Sequence, residues 1–581
     1  MKRYLIILIV LCGVAIESAS AQVAKQVEVT KAYAPEIGTA RKMDVAPNMV
    51  DTITLRPEID YTITPRSFAS ALGTHRFQPA SVTYWEYRHH YPFYLKAGIG
   101  YPLNTVADFY ATAHRPDVGY ITGYVNHYGQ YADLKYHNAM LDGGHYKDNN
   151  AMKLANKAGV TGGKYFGRYT LAGDIFYRMD QYHRFPLHSD YDRREVDFED
   201  VNVALSFGDS FADYSHLNFK LYAGADFFND KSQNFMVGEK YQQMNVTAGG
   251  SIAREITKRS AMMFNFDYQG YYGMSSLKSY KDSVLAASLF YHHRSGGLID
   301  LKVGAKVLYD HNPADVKKQN RWHAFPYLTL SLNVTDKGSF VPYVEVDGEL
   351  QNNSYYSLVR KNPYVSMLRG DNVALQSGKA LANTELYNVR FGVSGHSASS
   401  KFAYRFYANM SFMNNAIYWY NVNQIFFGVE QARRNIWSLC AAVDYKPISQ
   451  LLLTAEVKGS LYTNFTDRLV ADALPPVEAL LSVRYTHKKF TVGAKANLYG
   501  TTKWTSSYSE QLFDPTSTAV PKTYIVTVPA VVDLGLYVDW QVGRGCTIYA
   551  EGNNLLNMPM YHWVFYREMG ASFTAGVKVQ F

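Results

Sequence analysis

Apolar and polar residues alternate with a period of two along most of this chain. In the clearest segments one face is apolar throughout, while the other carries Lys, Asp, Arg, Gly, Ser or Asn; these are residues 216–227, 299–309, 387–395 and 490–498. Successive side chains of a β-strand point to opposite faces, so the pattern predicts strands with one apolar face each. Helical periodicity is nearly absent.

The segments have the length and number expected of a membrane barrel. Their apolar faces run for about 9 to 12 residues, enough for a tilted strand to cross a bilayer. We count about 22 segments between residue 92 and the end, within a range of about 14 to 24 because some, such as 281–293, alternate poorly. The segments are joined alternately by short turns and by longer polar loops. The clearest long loops are near 136–150, 184–198, 353–385, 463–474 and 500–527. The sequence therefore predicts an all-β fold, a transmembrane antiparallel β-barrel.

Composition favours this barrel over soluble sandwiches and propellers, whose strands also alternate. The chain of 581 residues has 49 Tyr, 31 Phe and 7 Trp, and such rings suit strands and water–lipid interfaces. After the first 21 residues no apolar run is long enough for a spanning helix, and no propeller-like repeat is found. The formal charge of +8 is spread along the chain, so we expect no nucleic-acid partner.

The N-terminus carries the features of a secretory signal peptide. Lys2 and Arg3 precede an apolar stretch at residues 5–16, which is too short to remain in a bilayer as a helix. The small residues that end at Ala21 form a cleavage site. We therefore expect an exported protein whose signal peptide is removed near Ala21.

Three regions follow from these patterns: a signal peptide at 1–21, an N-terminal arm at 22–91 and the barrel at 92–581. The arm has prolines at positions 35, 47, 57, 65 and 79 and only short extended pieces. We interpret it as an extended periplasmic or lumenal arm without a core of its own.

The last strand alternates up to the final residue. Its apolar face is made by Phe573, Ala575, Val577, Val579 and Phe581. In a closed barrel such a strand pairs with the first one, so no edge is left in lipid. We expect Phe573, Val577, Val579 and Phe581 to face lipid in the closing strand.

The C-terminal region resembles the end of TonB-dependent outer-membrane receptors. In that family a penultimate strand ends in Asn, Leu, an aromatic or aliphatic residue, and Asn or Asp. Asn554, Leu555, Leu556 and Asn557 match this motif, and the closing strand of the family ends in Phe, as here. Residues 93–112 are similar to the first hairpin of a receptor-like group of Bacteroidota that carries a short Pro-rich arm in place of a full plug domain.

The resemblance implies an outer-membrane location in a Gram-negative bacterium and a set of partners. These would be outer-membrane lipid, the barrel assembly machinery that reads the C-terminal Phe581, and TonB or another periplasmic or lipoprotein partner. Residues 26–33 are similar to a TonB box, although any segment of this composition could form a strand.

No residue pattern indicates an enzyme, a cofactor or a metal site. The adjacent pairs His89–His90 and His292–His293 would point to opposite faces of a strand and so could not chelate one ion. No Ser, His and Asp grouping has the context of a hydrolase, and no phosphate-binding glycine motif occurs. We predict a protein that is not an enzyme.

The long loop at 353–385 holds the candidate ligand-binding residues. They are Tyr355, Tyr356, Arg360, Lys361, Tyr364 and Arg369. The loop could be an ordinary solvated extracellular loop, or these side chains could hold a ligand at the barrel mouth. Three functions stay open: solute binding or uptake, a structural or assembly component of an outer-membrane complex, and a passive channel.

Overall fold

The fold is described from a computed structural model of the chain. The structure describes residues 91–137, 145–183, 195–211, 213–232, 241–278, 280–294, 298–312, 320–335, 338–365, 381–424, 426–464, 473–508, 516, 518 and 520–581. The predicted signal peptide and nearly all of the predicted arm lie outside these residues, and so does Arg369.

Twenty-four strands and one short helix make up the described chain. The strands are β1 Phe93–Tyr101, β2 Asn104–Arg115, β3 Gly119–His137, β4 His145–Phe166, β5 Tyr169–His183, β6 Glu195–Asp209, β7 Asn218–Asp230, β8 Tyr241–Thr257, β9 Ser260–Ser275, β10 Lys281–Arg294, β11 Ile299–His311, β12 Asn320–Leu332, β13 Val341–Gln351, β14 Thr384–His396, β15 Phe402–Val422, β16 Phe426–Tyr445, β17 Leu451–Asn464, β18 Val477–His487, β19 Phe490–Tyr499, β20 Thr502–Tyr508, β21 Lys522–Val528, β22 Val531–Gly543, β23 Cys546–Asn553 and β24 Ser572–Gln580. The helix, α1, is Tyr355–Lys361.

The wall is a closed antiparallel barrel of 22 strands. Strands β1 to β19 pair in sequence, β19 then pairs with β22, and β24 closes the barrel against β1. At the closure Gly98 lies opposite Gly576, and the backbones of Phe93 and Phe581 exchange two hydrogen bonds. The predicted fold class and strand number are confirmed.

The two faces of the wall differ as the alternation predicts. Large apolar side chains such as Ile99, Leu205 and Phe573 are exposed on the outer surface, while Ser572 and Thr574 of the last strand are buried on the inner side. An apolar outer band with a polar interior is typical of barrels in lipid. Among the described residues, no helix has the length and apolar character needed to span a membrane.

Connections at the two ends of the barrel differ in length. At the end that holds Phe93 and Gln580 the connections are short, among them 167–168, 258–259, 488–489 and 544–545. Most connections at the other end are longer, above all 352–383, 500–530 and 554–571. Outer-membrane barrels have short periplasmic turns and long extracellular loops, so the long-loop end is the extracellular end.

Two strands lie outside the wall. β20 and β21 form an antiparallel hairpin within the extracellular connection 500–530. β20 also pairs in parallel with the end of β15, where Tyr420 lies opposite Thr505. This hairpin extends the sheet above the wall and brings Trp504 to the barrel mouth.

Candidate functional site at the extracellular mouth

The connection between β13 and β14, residues 352–383, leaves the wall through a hydrogen-bonded neck. The side-chain amides of Asn352 and Asn383 both donate to Asp282 Oδ2, over 2.7 and 3.0 Å. The side-chain amide of Asn353 donates to Ala382 O, over 2.8 Å, and to Thr384 Oγ1. The two ends of the loop are therefore held together on the inner wall.

Beyond the neck the chain forms α1, which turns into the lumen. Ser354 caps the helix by accepting a hydrogen bond from Ser357 N, as is usual for Ser at this position. Tyr355, Leu358 and Val359 lie one helical turn apart on a single face and are buried. They pack against inward-facing residues of β6, β7 and β8, namely Val196, Phe198, Phe228 and Tyr241.

Arg360 fixes the helix to the facing wall. Its guanidinium contacts Asp180 Oδ2 of β5 at 2.5 Å and also binds the Asp200 carboxylate of β6. The guanidinium lies over the Phe228 ring, 5.5 Å from its centre. Burial, then the nearby Arg178, lowers the pKa of Arg360, while Asp180 opposes this shift. Arg360 is thus a largely buried cation between two carboxylates.

Two tyrosines at the start of α1 add contacts to acidic residues of the same wall. The hydroxyl of Tyr355 donates to the buried Asp230 carboxylate, and that of Tyr356 donates to Asp226 over 3.3 Å. Burial and the Asp226 charge raise the pKa of Tyr356 to about 12. Tyr356 is therefore a neutral donor at physiological pH.

A second extracellular loop, residues 554–571, meets the first over the lumen. The rings of Tyr364 and Tyr566 stack with 3.8 Å between their centres and 4° between their planes. Tyr566 belongs to a buried aromatic cluster, against which Tyr364 packs. The aromatic members of this cluster are Phe427, Trp504, Trp563, Phe565 and Tyr566. We call this group the mouth cluster; together with α1 it forms the candidate site.

The predicted ligand-loop residues are only partly brought together. Tyr355, Tyr356 and Arg360 lie against the β5–β8 wall, Tyr364 belongs to the contact with the second loop, and Lys361 is exposed. The solvated-loop interpretation is wrong for residues 353–365, since they fold inward against the wall. That these side chains hold a ligand stays a prediction.

The Asn554–Asn557 motif forms the turn from which the second loop starts. Both asparagines have positive φ, 46° and 48°, a conformation that Asn tolerates better than most residues. Asn554 Oδ1 accepts from Met558 N at 3.1 Å, and Asn557 Oδ1 accepts from Ala571 N at 3.1 Å. The second bond ties the start of the loop to its end, so the motif sets the geometry of the mouth.

We expect Asn557→Ala to destabilise the barrel by about 1–2 kcal/mol, because alanine disfavours the left-handed conformation and removes the bond to Ala571. Asn557→Gly keeps the conformation and should lose less. The measurement is the temperature at which the folded band disappears in SDS gels. Leu556→Ala, at an exposed position in the same turn, is the matched control, and equal losses in all three variants would contradict this role.

Several basic residues in the lumen are matched by acids. Ion pairs join Lys306 to Asp347, Arg390 to Glu345, Lys458 to Glu478 and Lys578 to Asp539. The paired acids lower the net positive charge of the interior.

Sequence reasoning missed the residues that hold the loops in place. In the sequence, Asp180 and Asp200 have the pattern of ordinary lumen-facing carboxylates. Nothing near them in the sequence indicates that they pair with Arg360. One signal was available: residues 561–566, Tyr-His-Trp-Val-Phe-Tyr, are too apolar for a solvated loop.

Comparisons with known proteins show the fold. No family model and no curated protein matches this chain. Among solved structures, the FrpB iron transporter of Neisseria meningitidis has a TM-score of 0.62 at 11% identity, with 85% of this chain and 82% of that chain covered. The siderophore receptor PirA of Acinetobacter baumannii has a TM-score of 0.62 at 11% identity, covering 84% and 80%. FpvA of P. aeruginosa, bound to a ferric pyoverdine, has a TM-score of 0.60 at 11% identity, with 84% of this chain and 71% of that chain covered.

These likenesses show that the barrel shares the fold of these three proteins. The identities are far too low to carry over a ligand or a binding residue. In the part of the chain that the structure describes, no group of three or more His, Cys, Asp or Glu is arranged to hold a metal ion.

Proposed function

We propose that this protein is a TonB-dependent receptor-like barrel that binds a solute outside a Gram-negative cell and passes it across the outer membrane. Residues 22–91 would serve as a short arm in place of a full plug, as in the Bacteroidota-type barrels that the sequence resembles. TonB or another periplasmic protein would contact this arm after the signal peptide is removed near Ala21. The barrel assembly machinery would read Phe581, and lipid would surround the wall.

The observation that carries this proposal is the mouth. Arg360 and the Tyr364–Tyr566 stack hold two extracellular loops across the lumen. A passive channel needs a permanently open path for its solute. A mouth crossed by two fixed loops suits a barrel that opens on demand, and the fold neighbours include an iron transporter and a siderophore receptor.

A structural or assembly role is the second candidate. It is favoured by the extended character of residues 22–91, which suits strand addition to a partner. Purification from membranes without detergent exchange separates the two roles: a stoichiometric partner in every preparation favours assembly, and a partner-free protein favours uptake.

Conductance in planar lipid bilayers tests the proposal. We expect the intact protein to show little or no steady current in potassium chloride, since the loops cross the mouth. Deleting residues 22–91 should then abolish solute uptake by cells while the barrel still reaches the outer membrane. A large steady current from the intact protein would favour a passive channel, and normal uptake by the deletion variant would contradict the role of the arm.

A further inference from the structure

Within the described residues, the wall junction between β12 and β13 is paired over only a short part of both strands. Only Leu328–Ser331 of β12 pair with Tyr343–Val346 of β13. β12 is paired with β11 over its whole length, and β13 with β14 over its whole length. In the continued register, 323–327 of β12 would lie opposite 347–351 of β13, but among the described residues these two stretches are not paired with each other. We call this gap the seam.

At the seam β13 passes behind β12, on the lumen side. A Cβ added at Gly348 would lie 2.4 Å from Cδ1 and 2.9 Å from Cβ of Phe325, a completely buried residue of β12. Lys306, on the inner face of β11, reaches Asp347 Oδ1 at 2.6 Å and Gly348 O at 3.1 Å. Only glycine leaves room for so close a crossing.

One face of the β13–β14 hairpin changes its surroundings at this crossing. On the periplasmic side of the crossing this face carries Val344 and Phe391, which are exposed on the outer surface. Leu350 and Tyr387 continue the same face by alternation, yet they pack against Phe325 and its inward-facing neighbours Val284 and Leu308. The upper half of the hairpin is thus inside the lumen, overlapping the wall.

Polar contacts hold the hairpin in that position. His323 Nδ1 of β12 lies 3.1 Å from Glu385 Oε1 of β14, and both side chains are largely buried. The neck amides of Asn352 and Asn383 bind Asp282 of β10. These contacts, with Arg360 beyond them, all join the hairpin or its loop to the inner wall.

The β12 edge is built to tolerate being unpaired. Pro326 lies in the unpaired stretch and has no N–H to donate, so it suits a strand edge. On the outer surface Trp322, next to the Tyr309 ring at 5.0 Å, has the character of an aromatic belt residue. Trp322 therefore marks the extracellular end of the seam.

We propose that the β13–β14 hairpin can occupy two positions, which we call the lumen seat and the wall seat. Its movement between these positions regulates the mouth. In the lumen seat, described above, it carries α1 across the lumen. In the wall seat the antiparallel pairing of β12 with β13 continues beyond Leu328 and Val346 toward the extracellular end. Ala324 then lies opposite Leu350, and the seam is closed. This regulation rests on the proposed function, because a gate matters only if a solute passes.

Two disulfides, each compatible with one seat only, test the proposal. Phe325→Cys with Gly348→Cys fixes the lumen seat, since the Cβ positions are already close enough for a disulfide after a small shift. The full-length protein is used in lipid vesicles, with Cys440 and Cys546 replaced by alanine to remove competing thiols.

Ala324→Cys with Leu350→Cys fixes the wall seat, because these positions meet only when the pairing continues. Leu328→Cys with Val346→Cys, paired in both seats, is the positive control for oxidation. We expect the control and the lumen-seat pair to form quickly and the wall-seat pair to form slowly. Once formed, the wall-seat bond should raise conductance at least tenfold over the lumen-seat bond, and reduction should reverse the difference.

Three results would overturn the gate. The first is a wall-seat pair that does not form in a folded barrel whose control pair forms. The second is a lumen-seat pair that does not form, and the third is equal conductance of the two cross-linked proteins. Cross-linking yield reports the movement without any transport. If the gate opens as expected but cells take up no solute through the protein, the proposed function fails while the movement stands.

Discussion

Arg360→Ala is expected to open the mouth and produce a steady current where the native protein shows little. The substitution leaves Asp200, whose side chain is 3% exposed, without its cation. Breaking one side of a buried ion pair costs about 3–5 kcal/mol, because the remaining charge is uncompensated. Since α1 belongs to an extracellular loop and not to the wall, we expect this cost to release the helix and leave the barrel folded.

Single-channel recording and limited proteolysis of the loop 352–383 measure the release. Lys361→Ala is the matched control, because this neighbouring cation is exposed and should change neither readout. Arg360→Ala combined with Asp200→Ala should restore part of the closed state, since both charges are then absent. An Arg360→Ala protein with native current and native protease resistance would show that the ion pairs do not hold the loop.

The fold could be predicted because lipid imposes one rule on every strand. Each strand must show an apolar face to the bilayer and satisfy its backbone within the wall, so the period of two repeats regardless of distant contacts. Residues 299–309 and 490–498 obey this rule and became β11 and β19. Their interpretation needed no knowledge of a partner segment.

The exceptions to that rule mark places where the lumen side is also packed. Residues 281–293 alternate poorly, and they form β10, whose inward-facing Val284 packs against the infolded hairpin. A strand covered on both faces by apolar groups loses the contrast on which the period depends. The weak pattern was therefore evidence for a second layer, although the sequence could not say which segment provides it.

The candidate site was predictable only in part because its contacts span long distances in sequence. Tyr355, Arg360 and Tyr364 drew attention as a charged and aromatic group. Their partners Asp200 and Tyr566 lie far away along the chain, and pairing of that kind leaves no local pattern. Besides the apolar run at 561–566, the helical spacing of Tyr355, Leu358 and Val359 is a local feature that indicates a buried face.

Gly576→Val is expected to prevent closure of the barrel, the largest effect we foresee in the wall. Gly576 of β24 lies directly opposite Gly98 of β1. A Cβ at Gly576 would lie 2.0 Å from Ala97 O and 2.6 Å from Gly98 Cα, so backbone atoms would have to move. The Tyr549 hydroxyl covers the other glycine, 2.2 Å from where a Cβ at Gly98 would lie, and leaves no room for the strand to shift.

The expected result is loss of the folded, heat-modifiable band in SDS gels and little protein in the outer membrane. Gly459→Val is the matched control: Gly459 also lies in a wall strand, β17, but a Cβ there meets nothing within 4 Å. Closure depends on the β1–β24 pairing because an unpaired strand edge in lipid costs several kcal/mol for each unsatisfied group. A Gly576→Val barrel that folds as well as the Gly459→Val barrel would show that the two end strands can close without this close approach.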